Sequence, residues 1–472
     1  MLLKEPPKEK FDVCIIGAGA AGITMALELS KKNVRTILIE SGNQEINDEL
    51  RREYSGKLEI CEGDKILSTI GGYQYESRLR RLGGSTGHWA NYTRHLDNMD
   101  FEVRPWVGEF RWPIGSFEMT KYYHKAHGIC RTSPVHDDLE EMEFSEQLLA
   151  GMEPFVHQFY HANPFPVNFW IQYGHHLLAR DSLAIMTDAN LVKLDIQNYS
   201  VSRAKFKRWS GEEFHVEANQ FVLAMGGIEN TRHLLLNKGN IVGMYKRPLG
   251  KNFMEHFHVD IGRFFLKDYP ANGLPLYDFS SIQRRSVALA LSPQEQVREG
   301  VLNGQIDLDP MPFNDEFKAM GAKPDQFCGR IRFIMEQLPQ ECNRIELSET
   351  ERDHFGLQKT NIRMSFSEMQ WKTISTFLTK FRETLGERGR VKPYIVGHYD
   401  PPQITRRLYM FGSHHMGTIP FVSGGPVDDD CKVRGTDNLF VAGSSVFPTV
   451  GHAPPTLTIV ALAVRLAERL WG

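Results

Sequence analysis

The sequence predicts a mixed α/β fold, and three observations support that prediction. A buried strand, a glycine-rich turn, a helix and a second strand follow one another over residues 11–40. Another strand, small-residue turn and helix occur over residues 439–471. Between these two units, residues 330–385 contain short strands followed by one amphipathic helix. Strands that alternate with helices indicate parallel pairing, whereas consecutive short strands indicate an antiparallel sheet.

The first unit has the pattern of a dinucleotide-binding turn. Residues 11–16 predict a buried parallel strand, and a helix is expected from residue 20 to about residue 31. Three glycines at G-x-G-x-x-G spacing lie where the strand meets the helix. The second strand, residues 34–39, ends in an acidic residue. The candidate cofactor-binding residues of this unit are Gly17, Gly19, Ala20, Ala21, Gly22 and Glu40.

Each part of this unit has a physical role. Gly17 permits a tight turn, Gly19 lets the backbone approach a pyrophosphate, and Gly22 lets the helix pack closely on the strand. The free N–H groups of the helix N-terminus favour a phosphate there. Glu40 would accept hydrogen bonds from the ribose of an adenosine. The motif alone does not choose between FAD and NAD, and a packing turn without a nucleotide is the alternative.

A second motif, RLRRLGGSTGHWANY, occupies residues 78–92. Its small residues and two hydroxyls suit a loop that passes close to a flat ligand. His88 and Trp89 would add a nucleophilic nitrogen and an aromatic wall to that loop. Taken alone, the segment is more typical of a surface turn followed by a core histidine.

The C-terminal unit predicts a second anion-stabilising turn. Residues 439–442 read as a buried strand that ends in Gly443 and Ser444, and a helix is expected from Thr456 onward. Two prolines lie at the first turn of that helix, where a missing N–H costs little. If the first and last strands enter one sheet, three histidines approach the same place: His414, His415 and His452.

The middle of the chain predicts an antiparallel sheet covered by a helix. Residues 330–338, 343–348 and 361–366 read as strands separated by turn residues. Ser367 is a candidate N-cap for a helix with one apolar face, and Gly386 is a plausible end of that helix.

Composition narrows the functional classes. The chain has 472 residues, and its 55 Lys and Arg against 58 Asp and Glu give a net charge of -3. A phosphate backbone needs a basic surface, so no nucleic-acid partner is expected. The six cysteines form no C-x-x-C pair, which argues against a disulfide framework and a zinc site. No apolar run is long enough to span a bilayer and no secretion signal is evident, so we expect no membrane association and a cytoplasmic location.

These segments, in this order, resemble the glucose–methanol–choline (GMC) family of FAD-dependent alcohol oxidoreductases. The resemblance is closest to the sugar-oxidising, pyranose-oxidase-like branch and extends over nearly the whole chain. Besides the N-terminal glycine turn, the matching segments are RRLGGSTGHW (80–89), VLAMGGIENTRHLLL (222–236), RPLGKNFMEH (247–256), EQLPQECNRIELS (336–348), GSHHMGT (412–418) and LFVAGSSVFPTVGHAPPTLT (439–458).

The resemblance implies a particular domain organisation. It implies a Rossmann-like FAD-binding domain of the GMC or p-hydroxybenzoate-hydroxylase type, interleaved with a substrate domain of antiparallel sheet covered by helices. Residues 1–135, 180–260 and 405–472 are assigned to the FAD-binding domain. Residues 136–179 and 261–404 are assigned to the substrate-binding domain.

The resemblance also implies cofactor contacts. Gly84 and Ser85 should line the flavin, and His88 aligns with the position that carries a covalent histidyl–flavin bond in some members, so covalent attachment is open. The backbone of Val192 should contact the adenine. Gly443 and Ser444 should meet the pyrophosphate, and Thr456 should lie under the flavin carbonyl.

The implied reaction is the oxidation of a hydroxyl group of a sugar, glycoside or polyol to a carbonyl. Histidine has a pKa suited to removing the hydroxyl proton while a hydride passes to the flavin. The family's H-x-x-G-T spacing assigns that base to His414. The second active residue is usually Asn or His, but Pro454 stands at the expected position and offers no donor, so His452 is the candidate replacement.

Several alternatives stay open. The substrate could be a non-carbohydrate alcohol such as a natural product, or the protein could hold FAD with reduced or lost turnover because of Pro454. An NAD-binding protein without flavin is a third possibility. The electron acceptor, oxygen or another molecule, and the oligomeric state are not predicted. No metal site is expected, because Glu255, His256 and His258 are more typical of a structural cluster.

Overall fold

The computed structural model describes residues 1–62, 65–132, 153–163, 165–239, 241, 249–270, 285–386, 391–394 and 408–471. Within these ranges the strands are β1 (Phe11–Ile16), β2 (Thr36–Ile39), β3 (Leu58–Glu62), β4 (Lys65–Ile70), β5 (Phe155–His161), β6 (Leu183–Met186), β7 (Asn190–Gln197), β8 (Ser200–Lys207), β9 (Glu213–Leu223), β10 (Phe257–Pro270), β11 (Arg285–Leu291), β12 (Gly304–Pro310), β13 (Gln326–Met335), β14 (Arg344–Arg352), β15 (Gln358–Ser365), β16 (Val391–Tyr394), β17 (Leu408–Phe411) and β18 (Leu439–Val441).

The α-helices of the described residues cover both ends and the middle of the chain. They are α1 (Ala20–Lys31), α2 (Asp48–Arg52), α3 (Tyr73–Glu76), α4 (Ser116–Cys130), α5 (Phe169–Leu178), α6 (Gly227–Leu236), α7 (Pro293–Glu299), α8 (Asp315–Ala319), α9 (Glu368–Phe381) and α10 (Thr456–Trp471). In the part of the chain that the structure describes, no helix combines the length and apolarity needed to cross a lipid bilayer.

The first sheet joins the two ends of the chain. Its order is β6-β2-β1-β9-β8-β7, and β18 pairs with β9. The β6, β2, β1, β9 and β18 pairings are parallel, whereas β8 runs antiparallel to its neighbours β7 and β9. The strand β1 (FDVCII) is almost wholly buried, as a parallel strand covered on both faces should be. The helix α10 packs on both α1 and α4, so the predicted convergence of the first and last segments is confirmed.

The second sheet is antiparallel, with the order β16-β10-β13-β12-β11-β5 and with β17 paired to β10. The predicted strands near 330, 343 and 361 correspond to β13, β14 and β15. Ser367 caps α9, and its hydroxyl and Gln370 form a capping box. Phe377 and Phe381 on α9 are fully buried in an apolar cluster with residues of this sheet, including Phe333. The mixed α/β fold with a sheet-rich second part is therefore confirmed.

The third sheet shows how the two parts interleave. It has the order β14-β15-β3-β4, so β3 and β4 from the early chain extend a pair from the late chain. Similarly, β17 pairs with β10, and α5 packs against α1. The predicted domain boundaries stay a prediction, and those at residues 135/136 and 404/405 lie outside the described residues.

Candidate active site

A large cavity lies at the carboxyl ends of the parallel strands. Its volume is about 720 Å³, and it is lined by the residues that follow β1, β2, β9 and β18. Ligands of open α/β sheets bind in this position, where the helix N-termini present free N–H groups. The loop of residues 84–91, the segment 412–415 and the N-terminus of α10 complete the wall on one side. Residues of β10, β12 and β13 complete it on the other.

The glycine turn is shaped to admit a diphosphate. Gly17 has φ +108°, and a Cβ there would lie 2.5 Å from the Ala224 carbonyl oxygen. At Gly22 a Cβ would lie 1.9 Å from the Gly17 carbonyl oxygen, so this glycine lets α1 pack on β1. At Gly19, by contrast, a Cβ would point into open space within the cavity. The turn therefore leaves its free volume where a pyrophosphate would approach the backbone, beside the N-terminus of α1.

The second glycine loop closes over the first. Gly84 has φ +54°, and a Cβ there would lie 2.9 Å from the Gly19 Cα. The Gly83 N–H donates to the Ala18 carbonyl at 2.9 Å. Ser85 and His88 line the cavity, and burial lowers the pKa of His88 from its ordinary value. The loop that sequence alone could not separate from a surface turn is thus part of the cavity wall.

Glu40 stands at the end of β2, as the motif predicts. Its Oε2 accepts a hydrogen bond from the Ala18 N–H, and its Oε1 accepts one from the Gly42 N–H, both at 2.9 Å. Burial raises the pKa of the carboxyl. Oε1 also accepts from the Ser41 hydroxyl at 3.2 Å, so the second lone pair of Oε2 is the one that can accept from a ribose hydroxyl.

The remaining predicted cofactor residues divide into two groups. Cavity-lining residues include Ala20, Ala21, Gly443, Ser444 and Thr456. Val192 does not line the cavity, whereas Ala189 and Leu191 do. On a strand, successive side chains point to opposite faces, so the side chain of Leu191 rather than that of Val192 faces the nucleotide end.

His414 lies in the cavity wall and is bonded to a second histidine. Its Nδ1 is 2.9 Å from the Nδ1 of His256, and the Nε2 of His256 is 3.0 Å from the Gly451 carbonyl oxygen. Backbone bonds between Met254 and Met416 hold the two segments together. Burial lowers the pKa of His256 to about 4 and that of His414 well below its ordinary value. Both rings are therefore neutral at neutral pH.

Glu255 holds the backbone of both histidines. Its Oε1 accepts hydrogen bonds from the His256 N–H and the His414 N–H, both at 2.8 Å. Its Oε2 accepts from the hydroxyl of Tyr73. The carboxyl is fully buried, and burial raises its pKa to about 8. Glu255 therefore joins α3 to the segments that position His256 and His414.

His415 is directed elsewhere. Its Nε2 lies 3.2 Å from the Ser77 hydroxyl oxygen, and its ring packs edge-on against Tyr73. Its carbonyl accepts a hydrogen bond from the Ser444 hydroxyl at 2.6 Å. Neighbouring histidines thus have separate environments, because only His414 bonds to His256.

Three buried side chains of the cavity have polar atoms without partners among the described residues, and they are Asn91, His258 and His452. Both ring nitrogens of His452 and both amide atoms of Asn91 are buried without a hydrogen bond. His452 is 2% exposed and Asn91 is fully buried. The nearest charged group to His452 is Asp97, whose Oδ2 lies 3.8 Å from Nδ1. Buried polar atoms cost free energy unless they are bonded, so these side chains are suited to bind a polar group in the cavity.

The wall formed by the second sheet is also polar. Asp307 on β12 pairs across the strands with Arg332 on β13, and the Arg332 Nη2 lies 2.7 Å from the Asp307 Oδ2. The Gln305 amide donates to the Asp307 Oδ1 at 2.6 Å, and the Tyr160 hydroxyl donates to the Gln305 Oε1. His258 on β10 lines the cavity together with these residues.

Sequence reasoning missed several of these residues. Glu255, His256 and His258 were assigned to a structural cluster, but His256 and His258 line the cavity and Glu255 anchors it. The segment RPLGKNFMEH could have drawn attention to His256, since it was one of the matching segments. No local signal marks Asn91, Asp307 or Arg332. Among the described residues, no group of His, Cys, Asp and Glu could hold a metal ion.

The fold and the cavity define an FAD-dependent oxidoreductase. Residues 12–47 match the family model described as FAD binding domain, and residues 339–463 match the one described as GMC oxidoreductase. The first match contains the glycine turn and Glu40, and the second contains His414, His452 and the start of α10. Over these two segments the chain is similar to the GMC oxidoreductase family, and it is an FAD-dependent enzyme acting on alcohol donors.

Three known proteins illustrate the similarity. Paromamine 6'-oxidase of Streptomyces fradiae is 22% identical over 98% of this chain and 91% of that protein. C-glycoside 3-oxidase of Microbacterium trichothecenolyticum is 28% identical over 35% of this chain, a stretch that spans only 31% of that protein. The crystal structure of pyridoxine 4-oxidase from Mesorbium loti superposes with a TM-score of 0.63 at 16% identity and covers 98% of this chain and 99% of that one. The last likeness concerns the fold alone.

Proposed function

We propose that the chain oxidises a hydroxyl group of a sugar, glycoside or polyol to a carbonyl, with His414 as the base. The observation that carries this proposal is the position of His414 in the cavity wall with its Nδ1 already bonded to His256. No described residue bonds its Nε2, which therefore offers a lone pair to a substrate. Burial lowers the pKa of the ring, so the ring is neutral before reaction and can accept a proton.

The chain supplies the proton chemistry of the reaction. The hydroxyl proton of the substrate passes to the His414 Nε2 as the carbon–oxygen double bond forms. Bound FAD supplies the acceptor for the two electrons and the hydrogen that leave the carbon. His452 is buried and unpartnered in the same cavity, which makes it the candidate second contact to the substrate oxygen.

The position of Pro454 supports this role for His452. Pro454 lines the cavity but has no hydrogen-bond donor. His452 lies two residues earlier on the same wall and has both ring nitrogens free of partners among the described residues. We therefore favour an active enzyme over an FAD-binding protein without turnover.

The polar wall favours a substrate with several hydroxyls. Tyr160, Gln305, Asp307 and Arg332 present donors and acceptors together, and a hydroxyl can both donate and accept. An apolar alcohol offers this wall a single hydroxyl, so most of its donors and acceptors would gain no hydrogen bond from the substrate. A sugar or polyol fits this wall better than an apolar natural-product alcohol.

The test is flavin reduction without oxygen. Anaerobic mixing with a panel of sugars, glycosides and polyols should bleach the flavin absorbance of the wild type. His414→Ala should retain bound flavin but lose bleaching, while the surface variant His176→Ala should behave as the wild type. Bleaching by apolar alcohols alone would contradict the substrate class. Flavin that dithionite reduces but no alcohol reduces would contradict turnover.

Attachment of FAD through His88 is a separate proposal. His88 lies in the loop that covers the glycine turn and lines the cavity. Acid precipitation should leave the yellow colour in the pellet of the wild type and release it from His88→Ala. Colour in the supernatant of the wild type would exclude the covalent bond without affecting the proposed reaction.

A further inference from the structure

We propose that His256 is a positioning residue that fixes the tautomer of His414. A hydrogen-bond chain runs from the Gly451 carbonyl through His256 to the His414 Nδ1, and it leaves the His414 Nε2 lone pair facing the cavity. The inference deepens the proposed function, because a base must present an unprotonated nitrogen to the substrate hydroxyl.

The direction of the chain follows from the chemistry of its three members. A peptide carbonyl oxygen can only accept, so the His256 Nε2, at 3.0 Å from the Gly451 oxygen, must carry a proton. A neutral imidazole has one N–H, so the His256 Nδ1 is then an acceptor. The contact of 2.9 Å between the two Nδ1 atoms therefore requires that His414 donates from Nδ1. A neutral His414 consequently has no proton on Nε2.

The reverse arrangement would need a charged His256. If His414 accepted at Nδ1, both nitrogens of His256 would have to carry protons. His256 is 1% exposed, and burial lowers its pKa to about 4, so the charged ring is disfavoured at neutral pH. Burial of a cation is costly, and among the described residues no carboxylate is hydrogen-bonded to the His256 ring. The Glu336 carboxylate acts to raise the pKa of His256, but burial is the larger effect.

The carbonyl that starts the chain is itself held in place. Gly451 has φ +53°, and a Cβ there would lie 2.4 Å from the Asp100 Oδ2. Its N–H donates to the Glu336 Oε1 at 3.3 Å. Arg104 binds both oxygens of Glu336 at 2.6 and 2.7 Å. This buried cluster holds the backbone N–H of Gly451, the residue whose carbonyl starts the chain, and the Glu255 carboxyl holds the backbone of the two histidines.

This arrangement resembles the device by which a carboxylate orients a catalytic imidazole, but with neutral partners. In such devices the second nitrogen of the ring selects the tautomer. Here a neutral histidine and a peptide carbonyl do so, and no carboxylate is hydrogen-bonded to the ring of the base among the described residues. His414 is therefore oriented without the rise in pKa that a carboxylate would cause.

Two matched variants separate the effect of the hydrogen bond to His414 from the effect of side-chain packing at position 256. In His256→Asn the amide oxygen lies near the place of the Nδ1 and can still accept from the His414 Nδ1–H. In His256→Leu a side chain of similar size has no acceptor. We expect His256→Leu to lower kcat at least tenfold with little change in KM, and His256→Asn to recover most of that loss. Equal loss in both variants would show that packing rather than the hydrogen bond matters.

The tautomer itself can be measured without turnover. Proteins labelled with ¹⁵N-histidine, observed by two-bond ¹H–¹⁵N correlation at pH 8, distinguish the two neutral tautomers, and His414→Gln assigns the signal. The wild type and His256→Asn should show His414 protonated at Nδ1, and His256→Leu should shift it toward protonation at Nε2. Wild-type His414 protonated at Nε2 would overturn the inference. Failure of the proposed function would appear instead as absent flavin reduction with this tautomer intact.

Discussion

Two glycines three residues apart should respond to the same substitution in opposite ways. Gly22→Ala would place a Cβ 1.9 Å from the Gly17 carbonyl oxygen, which is backbone and cannot swing aside. An ordinary contact needs about 3.4 Å, so α1 would have to move away from β1. Overpacking of this size costs ~3 kcal/mol or more. We expect Gly22→Ala to lower the free energy of unfolding by that amount.

Gly19→Ala should leave the fold intact and weaken FAD binding. Gly19 has φ -83° and ψ -162°, a conformation that alanine adopts, and a Cβ there meets no protein atom within 4 Å. The added methyl would instead occupy the part of the cavity that the pyrophosphate approaches. We expect the unfolding free energy of the apoprotein to change by less than about 1 kcal/mol. The FAD dissociation constant should rise at least tenfold, or ~1.4 kcal/mol.

The assay combines urea unfolding of the apoprotein with titration by FAD, followed through the quenching of flavin fluorescence. All variants are made in the His88→Ala background, so that covalent attachment cannot mask the affinity. Gly128→Ala is the matched control, because a Cβ there also meets nothing within 4 Å but lies on α4 away from the cavity. If Gly19→Ala bound FAD as tightly as Gly128→Ala, the assignment of this turn to the pyrophosphate would be wrong.

Three further predictions concern charge. Because the pKa of His414 is well below 6.5, kcat/KM should be constant from pH 6.5 to 8 and fall only at lower pH; a midpoint at 6.5 or above in a pH profile contradicts this. Urea unfolding should show stability falling from pH 6.5 to 4.5, because buried histidines with a lowered pKa take up protons mainly when the chain unfolds; they include His233, His256, His415 and His452. The histidines with a lowered pKa outnumber the buried carboxyls with a raised pKa, which are Glu40, Asp100, Glu255 and Asp307. Constant stability over this pH range would refute the prediction. Arg104→Met should cost about 3–5 kcal/mol by leaving Glu336 unpaired, whereas Lys121→Met at an exposed pair should have no measurable effect in the same urea assay.

Local patterns were sufficient for the elements that carry a regular signal. The spacing of Gly17, Gly19 and Gly22 between two apolar runs predicted β1, α1 and β2 because each glycine has a steric reason. Ser367 and the apolar face that follows it predicted α9 for a similar reason. The structure confirms these elements, while the roles of the individual site residues stay predictions.

Long-range pairing could not be obtained in this way. The bond between His256 and His414 depends on the pairing of Met254 with Met416, which no local periodicity encodes. The Asp307–Arg332 pair depends on the register of β12 and β13. Asn91 gave no signal because an asparagine in a turn is ordinary, and only burial without partners makes it notable. Sequence patterns therefore located the cofactor end of the cavity better than its substrate end.

The parallel sheet also dictates when the protein becomes able to hold its cofactor. β1 and β2 emerge first from the ribosome, yet their neighbours β9 and β18 and the covering helix α10 are synthesised much later. Domains fold as units during synthesis, and a nascent chain that stops before residue 439 lacks one edge of the sheet. Flavin loading must therefore follow translation of α10, and prematurely terminated chains should emerge colourless, exposing apolar surface to chaperones and proteases.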